Sequence, residues 1–348
     1  MIRKRTVSFS PQAVNLFFHI LTRCNLKCRH CYINPDQHGT QMLPLATIQS
    51  WLKVFADLGK PANLILLGGE PTLHPDLAAV VKAARRLHFA SITIDTNGYL
   101  FHDILARVTP EEVDYFSFSL DGATPETNDA LRGRGCYAAC LEGIRQAVSR
   151  GFRTSLIYTV SQANVDELAL MGPLLEELGV DRLFIQVLGI RGKPARQASL
   201  DAADRLLPVG RDQWMAVVPA AAVKLAARGL TVSYPKVFLT PEETFACAGR
   251  VADNYFVFPN GRVYRCPLCE DFPLHSLKLT DGQLKVMPAI NEKDLFALDI
   301  PEGCVMNRLV QPGNLAYGDD GRPAYRIACC LLKEEVLPHG EENEAGRK

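Results

Sequence analysis

The chain has 348 residues, 47% of them hydrophobic and 22% charged, enough to bury a large core without disulfide staples and too apolar to stay disordered. Lys plus Arg and Asp plus Glu both number 38, so no net field draws it to nucleic acid or to an anionic membrane. Recognition must come from a local site, and neither a nucleic-acid nor a membrane partner is expected.

The basic start, Met1–Arg5, and the apolar run 13–21 suggest a signal peptide, but the pattern fails. The segment Ser8–Gln12 interrupts it, Asn15 and His19 lie within it, and a cysteine-rich segment follows in place of a small-residue cleavage site. No apolar run approaches the roughly 18 residues of a membrane span, so a cytoplasmic location is expected. In a reducing compartment clustered thiols are more often metal ligands or redox groups than disulfides. The eleven cysteines fall into Cys24, Cys28 and Cys31, then Cys136 and Cys140, then Cys247, Cys266, Cys269, Cys304, Cys329 and Cys330. Two of these groups predict two metal centres. The i, i+4 pair Cys136 and Cys140 reads instead as small buried helix residues.

In chain order, strands are predicted at 14–22, 63–70, 90–96, 113–120, 153–160, 182–188 and 230–234, so about thirteen residues precede the first. Amphipathic helices are predicted between them at 45–58, 76–87, 137–150, 165–178 and 211–228. This alternation predicts an α/β fold with a parallel sheet and helical crossovers, its strands buried on both faces. Thr22-Arg-Cys24, Gly68-Gly-Glu-Pro71, Thr96-Asn-Gly98 and Ser119-Leu-Asp-Gly122 follow strands directly. In such folds chemistry gathers at the carboxyl ends of strands, so these segments are expected to share one mouth. Past Pro235 the alternation stops. Tyr255–Tyr264 reads as a hairpin with Asn260-Gly261 as a type I′ turn. The expected domains are 1–235, a small cysteine-rich unit at 236–332, and a frayed charged tail at 333–348.

Cys24-Asn-Leu-Lys-Cys28-Arg-His-Cys31 gathers three soft thiolate ligands just beyond a strand. A structural zinc site closes with four ligands, and no fourth cysteine completes this one, although His30 and His38 are near in sequence. Three thiolates on a four-iron cluster leave one iron open to a ligand.

The C-x₃-C-x₂-C loop, followed by Gly68-Gly-Glu-Pro71, resembles the radical S-adenosylmethionine (SAM) superfamily over about residues 14–190. The resemblance implies a partial (β/α)6 TIM-type barrel. It further implies a [4Fe-4S] cluster on Cys24, Cys28 and Cys31, whose open iron chelates the amine and carboxylate of SAM. His30 would pack near the adenine, and the backbone of Gly68, Gly69 and Glu70 would meet the SAM amine. Ser119 and Asp121 would face the ribose or methionine carboxylate, Arg132 that carboxylate, and Thr96, Asn97 and Thr159 the same pocket. Tyr158, Gln186 and Arg191 are expected to line the barrel. The implied chemistry is reductive cleavage of SAM to a 5′-deoxyadenosyl radical that abstracts hydrogen, the electron coming from a flavodoxin- or ferredoxin-type donor.

Cys247, Gly261 and Cys266 fit C-x₁₃-G-x₄-C, which looks like the opening of a SPASM or Twitch auxiliary-cluster domain. Here Cys266 itself opens the C-x₂-C with Cys269, and only Cys304, Cys329 and Cys330 remain. Six thiols cannot hold two four-iron clusters, so one auxiliary [4Fe-4S] cluster is expected, on Cys247, Cys266, Cys269 and Cys304 or one of the later pair. Zinc on four of these thiols is the alternative. The predicted function is a radical SAM oxidoreductase or maturase, acting on a small molecule in haem-like or quinone cofactor biosynthesis or on a peptide. The contrasting reading is a non-catalytic iron-sulfur or zinc redox sensor.

Overall fold

The computed structural model describes residues 2–7, 11–199, 206–310 and 312–338. After an edge strand β1 (Arg3–Val7), seven strands run in order: β2 (Val14–His19), β3 (Ala62–Leu67), β4 (Ser91–Thr96), β5 (Tyr115–Ser119), β6 (Thr154–Val160), β7 (Arg182–Val187) and β8 (Thr231–Pro235). Each pairs with the next in parallel. Six crossovers join them through α1 (Pro35–His38) and α2 (Leu45–Ala56), α3 (Leu77–Arg86), α4 (Ile104–Arg107), α5 (Pro125–Arg132) and α6 (Cys136–Ser149), α7 (Met171–Leu178), and α8 (Arg211–Ala226). The expected partial (β/α)6 barrel is the fold.

Alternation along each strand sets the layers. Leu64 and Leu66 of β3 and Ile92 and Ile94 of β4 point outward, fully buried in one core with Ile48, Leu52 and Phe55 of α2 and Val80 and Val81 of α3. The opposite faces are only partly buried, because they line a chamber inside the barrel rather than a second packed layer. Its floor is a ladder of amides across the strand starts. Ser91 Oγ donates to Asn63 Oδ1 at 2.8 Å, Asn63 Nδ2 to Asn15 Oδ1 at 3.0 Å, and Asn15 Nδ2 to Asn254 Oδ1 at 2.9 Å.

The strand ends expected at 22, 70 and 120 fall earlier, at His19, Leu67 and Ser119. The residues so released form the loops that carry the motifs. The helix expected at 165–178 begins as a 3₁₀ turn, Val165–Leu170, before α7. Helix α5 has no counterpart among the predicted elements; Thr124 caps it and Pro125 starts it.

The boundary expected at 235/236 falls within one continuous sheet. After β9 (Phe238–Leu239), strand β10 (Asp253–Val257) pairs in parallel with β2, and β11 (Arg262–Tyr264), β12 (Leu277–Thr280) and β13 (Gln283–Val286) extend the sheet beyond it. The hairpin at 255–264 is present, but its turn is not type I′. Gly261 N bonds Phe258 O at 2.9 Å and Phe258 N bonds Arg262 O at 3.1 Å, with a positive φ at Gly261 (82°) and not at Asn260. This is a three-residue loop with a glycine bulge. Proline at the first central position of the turn fixes a negative φ that type I′ forbids.

The frayed tail expected from Lys333 is also corrected. Lys333–Leu337 is strand β15, which follows β14 (Arg326–Ile327) and lies antiparallel between β1 and β8. Its acids are paired: Glu334 meets Lys236 at 3.5 Å, and Glu335 accepts from Arg5 Nε at 2.7 Å. Val336 and Leu337 enter the core. The remainder of that tail, from 339, lies outside the described residues.

Ending the chain after Leu332 should therefore cost roughly 4 kcal/mol from Val336 and Leu337 alone, lowering the melting temperature on the order of 10 °C in a thermal melt. An unchanged melting temperature would show that β15 is ornamental.

Candidate active site

The three-cysteine loop is seated by the backbone beyond β3. Gly69 N donates to Leu21 O at 3.1 Å and Glu70 N to Arg23 O at 3.0 Å. A Cβ on Gly68 would lie 2.7 Å from Leu21 O, and one on Gly69 only 2.3 Å from Arg23 O. Both glycines are thus demanded by contact between two stretches of chain. The far side of the loop is clamped as well. Lys193 N bonds Cys31 O at 2.9 Å, Lys193 Nζ bonds Cys28 O at 3.0 Å, and Arg29 N bonds Leu131 O at 2.9 Å.

Two buried carboxylates hold the strand ends in register. Glu70 accepts from Thr72 N, from the hydroxyls of Thr72 and Thr96, and from Asn97 N, at 2.6–3.0 Å. Burial raises its pKa, and these bonds oppose the rise. Asp121, wholly buried, accepts from Thr159 N at 2.7 Å on Oδ1, while its Oδ2 meets Arg132 Nε at 2.6 Å and His30 Nε2 at 3.1 Å. Burial would raise the Asp121 pKa, but the Arg132 charge and His30 overcome it and hold the group at about 2.

These hubs border a cavity of about 330 Å³ inside the barrel mouth. Cys24, Cys28, Cys31, His30, Gly68, Gly69, Glu70, Thr96, Asn97, Ser119, Thr159 and Arg132 all line it. Asp121 does not; both its oxygens are committed, so it positions His30 and Arg132 from behind the wall. Thr96 also spends its hydroxyl on Glu70, whereas Asn97 reaches the cysteine loop, with Nδ2 2.8 Å from Asn25 Oδ1. Gln186 and Arg191 line the chamber as expected. Tyr158 does not, being turned outward with its hydroxyl on Asn164 O. Cys136 and Cys140 are buried helix residues away from the cavity.

Three charged residues of the cavity, among those described, escaped the sequence reading. Asp95 stands on the inner face of β4, pushed up to about pKa 7 by burial, with a Ser117 hydrogen bond opposing. Glu270, raised to about 7 by burial, pairs with Arg191 Nη1 at 2.6 Å, which in turn lies over the Tyr32 ring at 4.7 Å. Lys333 on β15 puts its ammonium 4.1 Å from the centre of the Phe184 ring, and burial lowers its pKa. Asp95 was legible in Ile92-Thr-Ile-Asp-Thr96, where period-two alternation places it on the face opposite Ile92 and Ile94.

The donor set fits a cluster with an open corner. His38 is excluded as a fourth ligand: Nδ1 accepts from Asn34 N at 3.0 Å and Nε2 bonds Glu270 O at 2.9 Å. His30 Nε2 is held by Asp121. Among the described residues no group of three or more Cys, His, Asp or Glu side chains is drawn together around one point, so the three thiols of the loop stand as an open set. Burial pushes the Cys24 thiol up to about 12, while Leu26 N donates to its sulfur at 3.3 Å. A cation must therefore draw off the proton before the sulfur acts as a thiolate ligand.

The later cysteines converge too. A small cavity of about 50 Å³ is lined by Cys247, Cys266, Cys304, Cys329 and Cys330, and fully buried Cys269 is hydrogen-bonded to Cys266. Backbone N–H groups aim at three of these sulfurs: those of Gly249 and Arg250 at Cys247, of Asn307 at Cys304, and of Ala248, Leu331 and Leu332 at Cys329. Cys330 lines both cavities, in the wall between this pocket and the barrel chamber.

Residues 18–171 match the family model for the radical SAM superfamily. Pre-heme d1 synthase of Dinoroseobacter shibae is 34% identical over 56% of this chain and 48% of that protein, so the chain spans about half the length of this relative. Mycofactocin maturase MftC of Mycobacterium ulcerans is 28% identical over 77% of this chain and 72% of its own. Among solved structures, Streptococcus suis SuiB bound to its precursor peptide SuiA superposes with a TM-score of 0.62 at 14% identity, covering 84% of this chain and 66% of SuiB, and shares the fold. No helix among the described residues is long and apolar enough to cross a membrane.

Replacing Asp121 with Asn, or Arg132 with Met, breaks a buried ion pair and should cost about 3–5 kcal/mol in denaturant unfolding. The double variant should cost clearly less than the sum, by at least about 1 kcal/mol. Strict additivity would show that the pair does not hold the site.

Proposed function

We propose that residues 18–171, which match the radical SAM family model, form the radical SAM domain of an enzyme that reductively cleaves SAM and then abstracts hydrogen from a substrate held in the barrel. When bound, a [4Fe-4S] cluster and SAM supply one electron and a 5′-deoxyadenosyl radical. The observation that carries this reading is the cavity of about 330 Å³ onto which three thiols of one loop open, with His38 committed elsewhere through both ring nitrogens.

The residues then take separate tasks. Cys24, Cys28 and Cys31 hold the cluster, and the peptide edge at Gly68, Gly69 and Glu70 receives the SAM amine. Arg132, fixed by Asp121, offers its free guanidinium edge to the methionine carboxylate, a charge-assisted contact. His30 faces the adenine, and Asn97, Ser119 and Thr159 the remaining polar groups. The closed floor of amides and the apolar wall exclude water from the radical. Four of the six later thiols hold an auxiliary cluster, and a flavodoxin- or ferredoxin-type protein donates electrons. A redox sensor has no use for such a chamber.

For substrate, the 34% identity to pre-heme d1 synthase supports haem-like cofactor biosynthesis. The longer alignment with mycofactocin maturase, 77% of this chain, supports maturation of a peptide as the second reading.

Anaerobically reconstituted protein should hold about eight irons per chain and form 5′-deoxyadenosine from SAM with dithionite. Changing Cys24, Cys28 and Cys31 to Ala should abolish that product and leave about four irons. A fall to none would remove the second cluster, and no product from the unaltered enzyme would overturn the reading.

A further inference from the structure

Among the described residues three lysine and arginine side chains line the barrel chamber, and two are neutralised. Arg132 meets Asp121 and Arg191 meets Glu270, each at 2.6 Å. Lys333 has no carboxylate within 4 Å among the described residues, and its contact there is the face of Phe184. The acids on its own strand are taken, Glu334 by Lys236 and Glu335 by Arg5. Asp95, hydrogen-bonded by Ser117, acts on Lys333 only from beyond ion-pair distance. An ammonium partly withdrawn from water and left unpaired is costly, and an anion entering the chamber would offset that cost. The cation–π contact favours its charged form. The same chamber carries apolar faces: Phe17 stacks on Phe256 with centroids 4.4 Å apart, and Phe184, Val187 and Leu331 also line it.

We propose that Lys333 is the substrate anchor of this chamber, pairing with a carboxylate borne on an apolar body that lies against Phe17, Phe184 and Phe256. The inference rests on the chamber being the substrate site proposed above. SAM is assigned to the other wall, between the cysteine loop, Gly68–Glu70 and Arg132, so the anchor orients the substrate's apolar carbons toward the radical. An ammonium without an ion-pair partner beside aromatic surface selects for carboxylates and orients the apolar body that carries them.

Equilibrium dialysis of hydrocinnamate against the reconstituted enzyme tests the anchor without turnover, and hydrocinnamide is the uncharged control. The unaltered enzyme should bind the acid saturably, one per chain, and the amide at least about tenfold more weakly. Lys333→Arg should retain acid binding and Lys333→Met should weaken it at least about tenfold. Equal binding of acid and amide, no saturable binding of the acid, or a Lys333→Met variant that binds like the unaltered enzyme would overturn the proposal. The acid–amide comparison needs no variant, so misfolding cannot imitate the result. Enzyme that binds the acid yet forms no 5′-deoxyadenosine would contradict the proposed reaction and leave the anchor standing.

Discussion

The site depends on one close approach of two backbones. Where β2 and β3 end, Gly68 and Gly69 press against Leu21 and Arg23 so tightly that any side chain on Gly69 would overlap a carbonyl. The contact sets the cysteine loop at the carboxyl edge of the sheet and places the peptide edge that follows β3 beside it. Glu70 carries the constraint to β4 through Thr96 and Asn97, and Asp121 carries it across β5, β6 and α5 through Thr159, His30 and Arg132. Buried carboxylates of this kind are expensive unless every lone pair is met, and here several donors meet each.

The same logic explains why polar residues of one motif do different work. Thr96 and Asp121 are absorbed in the scaffold. Asn97, Ser119 and Arg132 keep faces toward the chamber. A motif identifies the segment, and the hydrogen-bond network decides which of its atoms a ligand meets.

Much of this was legible from the chain. Seven strands and five of the crossover helices followed from alternation, and the gathering of the three cysteines with Gly68–Glu70 at one mouth followed from the spacing and order of motifs. What was hidden was non-local. Lys333-Glu-Glu335 reads as a solvated tail, because nothing nearby reveals that Lys236 and Arg5 pair its acids or that β1 and β8 flank it. Pairing of β10 with β2 joins residues over two hundred positions apart, so composition alone separated units that share a sheet. The turn at Pro259-Asn260-Gly261 was misread because the asparagine-glycine signal outweighed the proline before it. His38, near the thiols in sequence, is turned away and spends both ring nitrogens elsewhere.

The central claim is that the amino-terminal cage offers three protein sulfurs and leaves its last corner to a small molecule. Pulsed electron paramagnetic resonance on the dithionite-reduced holoenzyme with SAM labelled by nitrogen-15 at its amine tests this directly. The account predicts hyperfine coupling from the labelled nitrogen to the cluster. Coupling to a protein nitrogen, with none from the label, would contradict it.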